Sequence, residues 1–183
     1  MTEAELRRHI QAFIARAATG PSAVRGRGNA GVGAAAREFL GAMPLRPFGA
    51  RGAKVFIKEL DRRTELLRKS FPRGARHWGL ARKLINVFLR DALFTVHLRN
   101  GYELDRATSL LELPLDRFTA ERLLTQYTQS ELPVWRGVRY VDALSNAAYQ
   151  RAAAEIAASY RVARVHLDAV WYGTRGSVVD GSR

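Results

Sequence analysis

Apolar residues recur at helical spacing along most of the chain. Thr2 followed by Glu5 has the pattern of a capping box, and apolar residues then repeat every three or four positions until Gly20. The same spacing predicts a short helix over residues 34–43 and an amphipathic surface helix over residues 54–69. Each of these segments is therefore expected to form one helix with one buried face.

The second half of the chain follows the same period. Residues 143–160, which are rich in alanine, and residues 161–172 are predicted helices, while Pro114 and Pro133 mark joints. No segment of useful length alternates between apolar and polar residues as a strand does. The predicted fold class is therefore all-α. We expect one compact helical domain over residues 1–183, and two lobes with a cleft between them is one arrangement of it.

Residues 20–33 interrupt this helical pattern. They read GPSAVRGRGNAGVG, which is too rich in glycine for regular structure. The segment also lacks the Gly-Lys-Ser/Thr ending of a nucleotide-binding loop. We therefore predict a mobile basic loop here.

Residues 77–101 form the most informative segment. Their apolar positions cover more than half of a helix circumference, so this predicted helix must be largely buried. One polar stripe nevertheless runs along it, formed by Lys83, Asn86, Arg90 and His97. At the helical rotation per residue these four positions fall within about 60° of one another. Two interpretations stay open: the stripe is the solvated edge of the helix, or it lines a polar cleft.

Asp116 stands where the next helix should begin, directly after the joint at Pro114. An aspartate at this position commonly caps a helix by accepting hydrogen bonds from its first backbone N–H groups. The same bonds would keep the carboxylate ionised and oriented, which suits stabilisation of a cationic sugar. The two interpretations are compatible.

The charge of the chain points to a polyanionic partner. The 30 Lys and Arg residues against 17 Asp and Glu leave a net charge of +13, and nearly all of the basic residues are arginines, whose planar group grips phosphate in two places. We expect nucleic acid as the partner. An anionic membrane surface and a charge that only keeps the protein in solution are the alternatives.

Several kinds of site are excluded or disfavoured. The chain has no cysteine, which excludes disulfides, thiolate nucleophiles and Cys-based metal sites. Its four histidines show no His-Glu-x-x-His arrangement, so neither a metal nor a cofactor is expected, and His166 and Asp168 are predicted to tie the last helix to a neighbour. The first residues lack the apolar core of a signal peptide, and no apolar run approaches the ~20 residues of a membrane span. We expect a cytoplasmic, nucleoid-associated protein without membrane contact.

Two short motifs resemble the helix-hairpin-helix DNA glycosylase superfamily. Gly-Leu-Ala-Arg-Lys at residues 79–83 precedes an apolar helix, and Leu-Pro-Leu-Asp at residues 113–116 opens a later one. The order and the separation of the lysine and the aspartate are similar to those of the archaeal 8-oxoguanine DNA glycosylase branch. The resemblance covers residues 78–124 and implies a helix-hairpin-helix glycosylase-like fold.

The resemblance also implies roles for individual residues. Lys83 would attack the sugar of a flipped nucleotide, with its pKa lowered by burial and by the nearby Arg82 and Arg90, and Asp116 would stabilise the developing cation and help to deprotonate the amine. The residues expected to contact DNA are Gly79, Arg82, Arg90 and Arg76. The residues that could stack on the base, each otherwise a core residue, are Trp78, Trp135 and Trp171.

The expected function is therefore a DNA glycosylase, with or without AP-lyase activity, that acts as a monomer on duplex DNA. The resemblance implies 8-oxoguanine as the excised base, and another damaged or bulky modified base remains an alternative. Two other functions stay open: a noncatalytic nucleic-acid-binding helical protein, and a helical interaction protein whose basic face binds an acidic partner.

Overall fold

The computed structural model of this chain describes residues 1–24, 30–49, 52–129 and 131–173. Within these residues the regular elements are helices and no strand is present, which confirms the all-α fold class. The α-helices are α1 (Glu3–Ala18), α2 (Pro21–Val24), α3 (Val32–Ala42), α4 (Ala53–Ser70), α5 (Trp78–Phe94), α6 (Val96–Tyr102), α7 (Arg117–Gln126), α8 (Ala143–Ser159) and α9 (Leu167–Gly173). Short 3-10 turns lie at Arg46–Phe48, Arg73–Ala75, Leu104–Ala107, Val138–Tyr140 and Arg164–His166.

The prediction of one continuous helix over residues 77–101 is wrong, because the chain breaks at Thr95. The backbone there is extended, with φ −93° and ψ 113°, so that α5 ends at Phe94 and α6 begins at Val96. The Thr95 hydroxyl donates to the carbonyl oxygen of Asp91 at 2.8 Å. This local hydrogen bond competes with the helical pattern and favours a helix end.

Two other predicted boundaries also change. Arg161 adopts a left-handed conformation with φ 56°, so the chain turns after α8 and the next α-helix starts only at Leu167 rather than spanning residues 161–172. In the predicted loop over residues 20–33, the chain is helical at Pro21–Val24 and again from the start of α3 at Val32. Residues 25–29 of that loop lie outside the described residues.

Buried apolar side chains form two clusters. The first joins α1, α3, α4, α5 and α6, and the second joins α7, α8 and α9 with Leu113 and Leu115 of the connection between the clusters. Residues 111–116 of this connection are not helical. The helix α5 is buried on most of its circumference, as its apolar pattern predicts. None of the described helices combines the length and the apolar character that crossing a bilayer requires.

Candidate active site

Two cavities meet at Lys83 and Asp116, whose side chains line both of them. The first has a volume of about 440 Å³ and is also lined by Val87, Arg90, Asp91, Phe94, Asp168 and Tyr172. The second has a volume of about 470 Å³ and is also lined by Arg117, Glu121, Trp135, Arg136, Gly137 and Val138. The fold therefore brings together the two residues that the sequence singles out, one from each side of the division between the core clusters.

Lys83 holds its amine in a partly buried place. It projects from the second turn of α5, and its Nζ donates to the carbonyl oxygen of Ala23 at 3.3 Å. Burial lowers the pKa of this amine, while the carboxylates of Asp116 and Asp168 raise it, and burial has the larger effect. The lowered pKa agrees with the sequence-based expectation. The charges that act on the amine are carboxylates, however, and not the cations Arg82 and Arg90.

Asp116 is the N-cap of α7, as its position after Pro114 predicts. Its Oδ1 accepts a hydrogen bond from the backbone N–H of Thr119 at 3.0 Å, and the Thr119 hydroxyl accepts one from the backbone N–H of Asp116 at 2.9 Å. The Thr119 hydroxyl also donates to the carbonyl oxygen of Pro114 at 2.9 Å. These bonds fix both the backbone and the carboxylate of Asp116 at the edge of the two cavities.

A compact ion-pair group lines the first cavity. Arg90 donates to Oδ1 of Asp91 from Nε at 3.0 Å and from a terminal nitrogen at 2.8 Å, and it also pairs with Asp168 of α9. Burial raises the pKa of both Asp91 and Asp168, and the charge of Arg90 opposes this rise. Arg90 is therefore a cavity residue already engaged by two carboxylates, which does not fit the expected phosphate contact.

The prediction that His166 and Asp168 tie the last helix to a neighbour is confirmed. Asp168 pairs with Arg90 of α5, and the ring of His166 stacks on Phe94 with centroids 5.6 Å apart and an interplanar angle of 10°. The sequence did not indicate that Asp168 also belongs to the cavity wall. The only signal was a carboxylate at the start of a short helix, and its partner lies 78 positions earlier in the chain.

The structure supports each of the two interpretations for part of the polar stripe predicted over residues 77–101, whose residue His97 lies on α6 and not on α5. Lys83 and Arg90 line a cavity, in agreement with the cleft interpretation. The side chain of His97 is 44% exposed, with Nδ1 3.8 Å from Oε1 of Glu3, in agreement with the solvated edge. Asn86 follows neither interpretation, because it is buried and its Nδ2 donates to Glu112 at 2.9 Å.

Arg82 and Gly79 do not have the DNA-contacting positions predicted for them. Arg82 is only 5% exposed, and its guanidinium is bound by Glu112 and Asp61 within the protein, so it cannot contact phosphate. Gly79 lies in the first turn of α5 and not in a hairpin before it, and a Cβ at this position would come within 2.2 Å of the carbonyl oxygen of Val138. Its lack of a side chain permits this close packing.

The aromatic candidates differ in their positions. Trp171 is only 2% exposed within the second core cluster, so the prediction that it could stack on a base is wrong. Trp78 is half-buried beneath the guanidinium of Arg82, 5.2 Å from its ring centroid. Trp135 is half-buried, packs edge-on against Tyr149 and lines the second cavity beside Lys83. Of the three tryptophans, Trp135 is the one placed at the site.

Arg76 is exposed, and its Nε donates to the carbonyl oxygen of Phe71 at 3.0 Å. A contact with DNA through its terminal nitrogens stays a prediction.

Arg136 was not singled out from the sequence, yet it is exposed and lines the second cavity. In the sequence Arg136 is one of many arginines, and the excess of arginines does not show which of them line a cavity.

Comparison with models of protein families, with characterised proteins and with solved structures finds no match to this chain. The chemistry of the site therefore rests on its own residues. In the part of the chain that the structure describes, no group of three His, Asp or Glu side chains is placed to hold a metal ion. An amine with a lowered pKa beside an oriented carboxylate is suited to nucleophilic attack coupled to proton transfer.

Proposed function

We propose that this protein is a DNA glycosylase that removes a damaged or modified base flipped out of duplex DNA. The observation that supports this proposal most strongly is the place of Lys83 and Asp116, which line two adjoining cavities together. An amine with a lowered pKa next to a carboxylate is the pair that covalent base excision requires. The net charge of +13 and the resemblance of residues 79–83 and 113–116 to glycosylase motifs agree with it.

The two cavities suit two parts of a DNA substrate. The first, at about 440 Å³, has the size of a small-molecule site and combines apolar walls with the charged groups of Arg90 and Asp168. We assign it to the flipped base. The second is lined by Arg136 and Trp135, a cation and an aromatic ring that suit a phosphate backbone and an unstacked base, whereas Arg117 in its wall is paired with Glu121. The sugar would then lie at the junction, beside Lys83.

Base excision follows as a balanced sequence of steps. The lone pair of the neutral Lys83 Nζ forms a bond to C1′, and the bond between C1′ and the base nitrogen breaks with its electron pair leaving on the base. Solvent protonates the departing base, and Asp116 accepts the proton that Nζ loses. Asp116 also stabilises the positive charge that develops on the sugar before the new bond is complete.

Strand cleavage can follow from the same adduct. The bond between C1′ and O4′ breaks, O4′ takes a proton, and C1′ and Nζ are joined as a protonated imine. Loss of a C2′ proton to a general base then expels the 3′ phosphate with the electron pair of its C3′–O bond. Water hydrolyses the remaining imine and restores the Lys83 amine.

Borohydride trapping tests this proposal directly. The protein is incubated with duplex oligonucleotides that carry a panel of altered bases, and released base, abasic sites and strand breaks are measured. Borohydride added during the reaction should reduce the imine and join protein and DNA covalently. Lys83→Gln should abolish both trapping and strand cleavage, while DNA affinity changes by less than about tenfold because at most one phosphate contact is lost.

Lys58→Gln is the matched control, because Lys58 is exposed on α4 and lines neither cavity. Its trapping and cleavage should equal those of the wild type. Trapping that persists in Lys83→Gln would show that another amine is the nucleophile. Tight binding to DNA without release of any base would favour the noncatalytic nucleic-acid-binding function, which the same basic charge supports.

A further inference from the structure

A buried ion pair joins the two chain segments that bear Lys83 and Asp116. Arg82, the residue before Lys83, donates to Glu112 from Nε at 2.8 Å and from a terminal nitrogen at 2.7 Å. Glu112 lies in the connection that leads to Asp116. Both side chains are buried, at 5% and 8% exposure. A two-pronged bond between planar groups fixes distance and orientation together.

The surroundings hold this pair from both sides. The remaining terminal nitrogen of Arg82 donates to Asp61 at 2.8 Å and to the Thr64 hydroxyl at 3.1 Å, both on α4. Glu112 accepts further hydrogen bonds from Asn86 at 2.9 Å and from Asn146 at 3.3 Å. Burial acts to raise the pKa of Glu112, but the hydrogen bonds and charge of Arg82, together with the Asn86 hydrogen bond and the charge of Arg164, outweigh it, so that the pKa stays below its ordinary value.

The connection itself is clamped one residue further on. The side chain of Gln150 on α8 accepts from the backbone N–H of Leu113 at 2.9 Å and donates to its carbonyl oxygen at 2.8 Å. Thr119 of α7 holds the next residues of the connection. Its hydroxyl donates to the carbonyl oxygen of Pro114, and its backbone N–H donates to the carboxylate of Asp116. Polar contacts therefore hold the connection at Glu112, Leu113, Pro114 and Asp116, and the short backbone between these residues links them.

We propose that the Arg82–Glu112 pair is the positioning element that sets Asp116 against Lys83 across the two core clusters. A shift of the connection relative to α5 would leave two buried charges without compensation, which is strongly unfavourable. The pair therefore resists such a shift more than apolar packing alone would. This inference rests on the proposed function for its catalytic consequence, but the positioning itself can be measured without any catalysis.

The separation of Lys83 and Asp116 can be followed through their electrostatic coupling, which is the change in the pKa of Lys83 when the charge of Asp116 is removed. The chain has four lysines, so the titration of Lys83 can be followed by nuclear magnetic resonance of lysine side chains labelled at Cε and assigned with Lys83→Gln. Asp116→Asn should lower the pKa of Lys83, because it removes a carboxylate that raises it. Asp168 raises the pKa of Lys83 in the same way and is left unchanged throughout. The other charged groups that line the two cavities, also left unchanged, are Arg90, Asp91, Arg117, Glu121 and Arg136.

The test repeats the Asp116→Asn measurement in two charge-conserving backgrounds, Arg82→Lys and Glu112→Asp. Neither background changes the net charge, but the first removes the two-pronged donor and the second shortens the acceptor. In both we expect the effect of Asp116→Asn on the pKa of Lys83 to fall to about half of its wild-type size or less, because the two groups move apart. Glu112→Asp is the milder change and keeps the test available if Arg82→Lys does not fold.

Gln11→Met provides the matched control. Gln11 is buried and donates to the carbonyl oxygens of Leu40 and Met43, two residues of the first cluster, at 3.0 and 2.8 Å, so this variant also loses buried hydrogen bonds. It should lose stability but keep the full coupling between Lys83 and Asp116. Equal coupling in all four backgrounds, wild type included, would overturn the inference.

The catalytic consequence is read separately from single-turnover base excision and DNA affinity. Arg82→Lys and Glu112→Asp should slow excision by about 100-fold, as expected for a displacement of reacting groups, with DNA affinity within about threefold of the wild type. If coupling is reduced in the two variants but the wild-type protein releases no base from any oligonucleotide of the panel, the positioning role stands and the glycosylase proposal is refuted. Reduced coupling with an unchanged excision rate would overturn the role of this pair in catalysis.

Discussion

The amine of Lys83 is subject to opposing influences on its protonation. Burial lowers its pKa, whereas Asp116 and Asp168 raise it. Burial is the larger influence, so a neutral amine is available at lower pH than for a solvated lysine. The carboxylates are also useful, because a nucleophilic amine must pass its proton to an acceptor. Lys83 thus combines partial burial with a nearby proton acceptor. An exposed lysine lacks the burial, and a buried lysine without a carboxylate nearby lacks the acceptor.

Asp116→Asn should separate the capping role of this residue from its chemical role. The asparagine keeps an oxygen that can accept from the Thr119 N–H, so the free energy of unfolding should fall by less than about 1 kcal/mol. Loss of the negative charge next to the sugar should slow base excision by about 100-fold or more. Denaturant unfolding and single-turnover excision measure the two effects on the same preparation.

Asp142→Asn is the control for this prediction. Asp142 forms the same capping box at the start of α8, with Ser145 in the place of Thr119, but it is exposed and lines neither cavity. It should leave the excision rate unchanged. If Asp116→Asn also excises at the wild-type rate, then Asp116 is a helix cap and nothing more.

Lys83 and Asp116 could be selected from the sequence because the short motifs that resemble the glycosylase superfamily surround them directly in the chain. A lysine at the start of an apolar helix and an aspartate after a proline are both visible within a few residues. The burial of Arg82 could not be predicted in this way. Its partners Asp61 and Glu112 lie 21 and 30 positions away, and the helical period gives the direction of a side chain but not what lies opposite.

At the scale of elements, the non-helical connection over residues 111–116 determines where Asp116 lies. Pro114 predicts a joint, and the joint is present. The apolar residues Leu113 and Leu115 fill the second core cluster, which draws Asp116 towards the protein interior. The clamp by Gln150, however, comes from a residue 37 positions later and leaves no pattern in the sequence. Helices were predictable from periodicity, whereas the segment that aligns them was not.

Gly79→Ala should test how α5 packs against the Val138–Tyr140 turn. The new Cβ would lie 2.2 Å from the Val138 carbonyl oxygen and 2.7 Å from Cβ of Val141, so backbone must move. Such overpacking should lower the free energy of unfolding by about 1–3 kcal/mol. Because Val138 also lines the second cavity, excision should slow as well. Thermal unfolding and single-turnover rates measure both.

Gly41→Ala is the matched control, since Gly41 is also helical but has no neighbouring atom within 4 Å of the added Cβ. This variant should be as stable as the wild type or more stable by about 0.5–1 kcal/mol, with unchanged excision. Equal behaviour of the two alanine variants would contradict the close packing at Gly79.

At the scale of the whole molecule, the arginines are not equally available to phosphate. On α4, Arg62 and Arg63 both bind Glu59. Arg136, in contrast, is exposed at the second cavity and has no carboxylate partner within the described ranges. The sequence predicts the excess of positive charge, but the three-dimensional pairing decides which surface presents it. We therefore expect DNA to approach the side of the second cavity.

The salt dependence of DNA binding tests this orientation. If about four phosphates are neutralised, the affinity for duplex DNA should fall about 100-fold between roughly 50 and 200 mM salt, because bound counterions are released. Arg136→Ala should weaken binding and reduce the slope of log affinity against log salt by about one phosphate contact, whereas Arg62→Ala, whose guanidinium is already paired with Glu59, should leave the slope unchanged. Both effects are measured by fluorescence anisotropy on an unmodified duplex, so they do not depend on which base is excised. A flat salt response would argue against DNA as the partner, and equal losses from the two variants would place the binding surface elsewhere than at the second cavity.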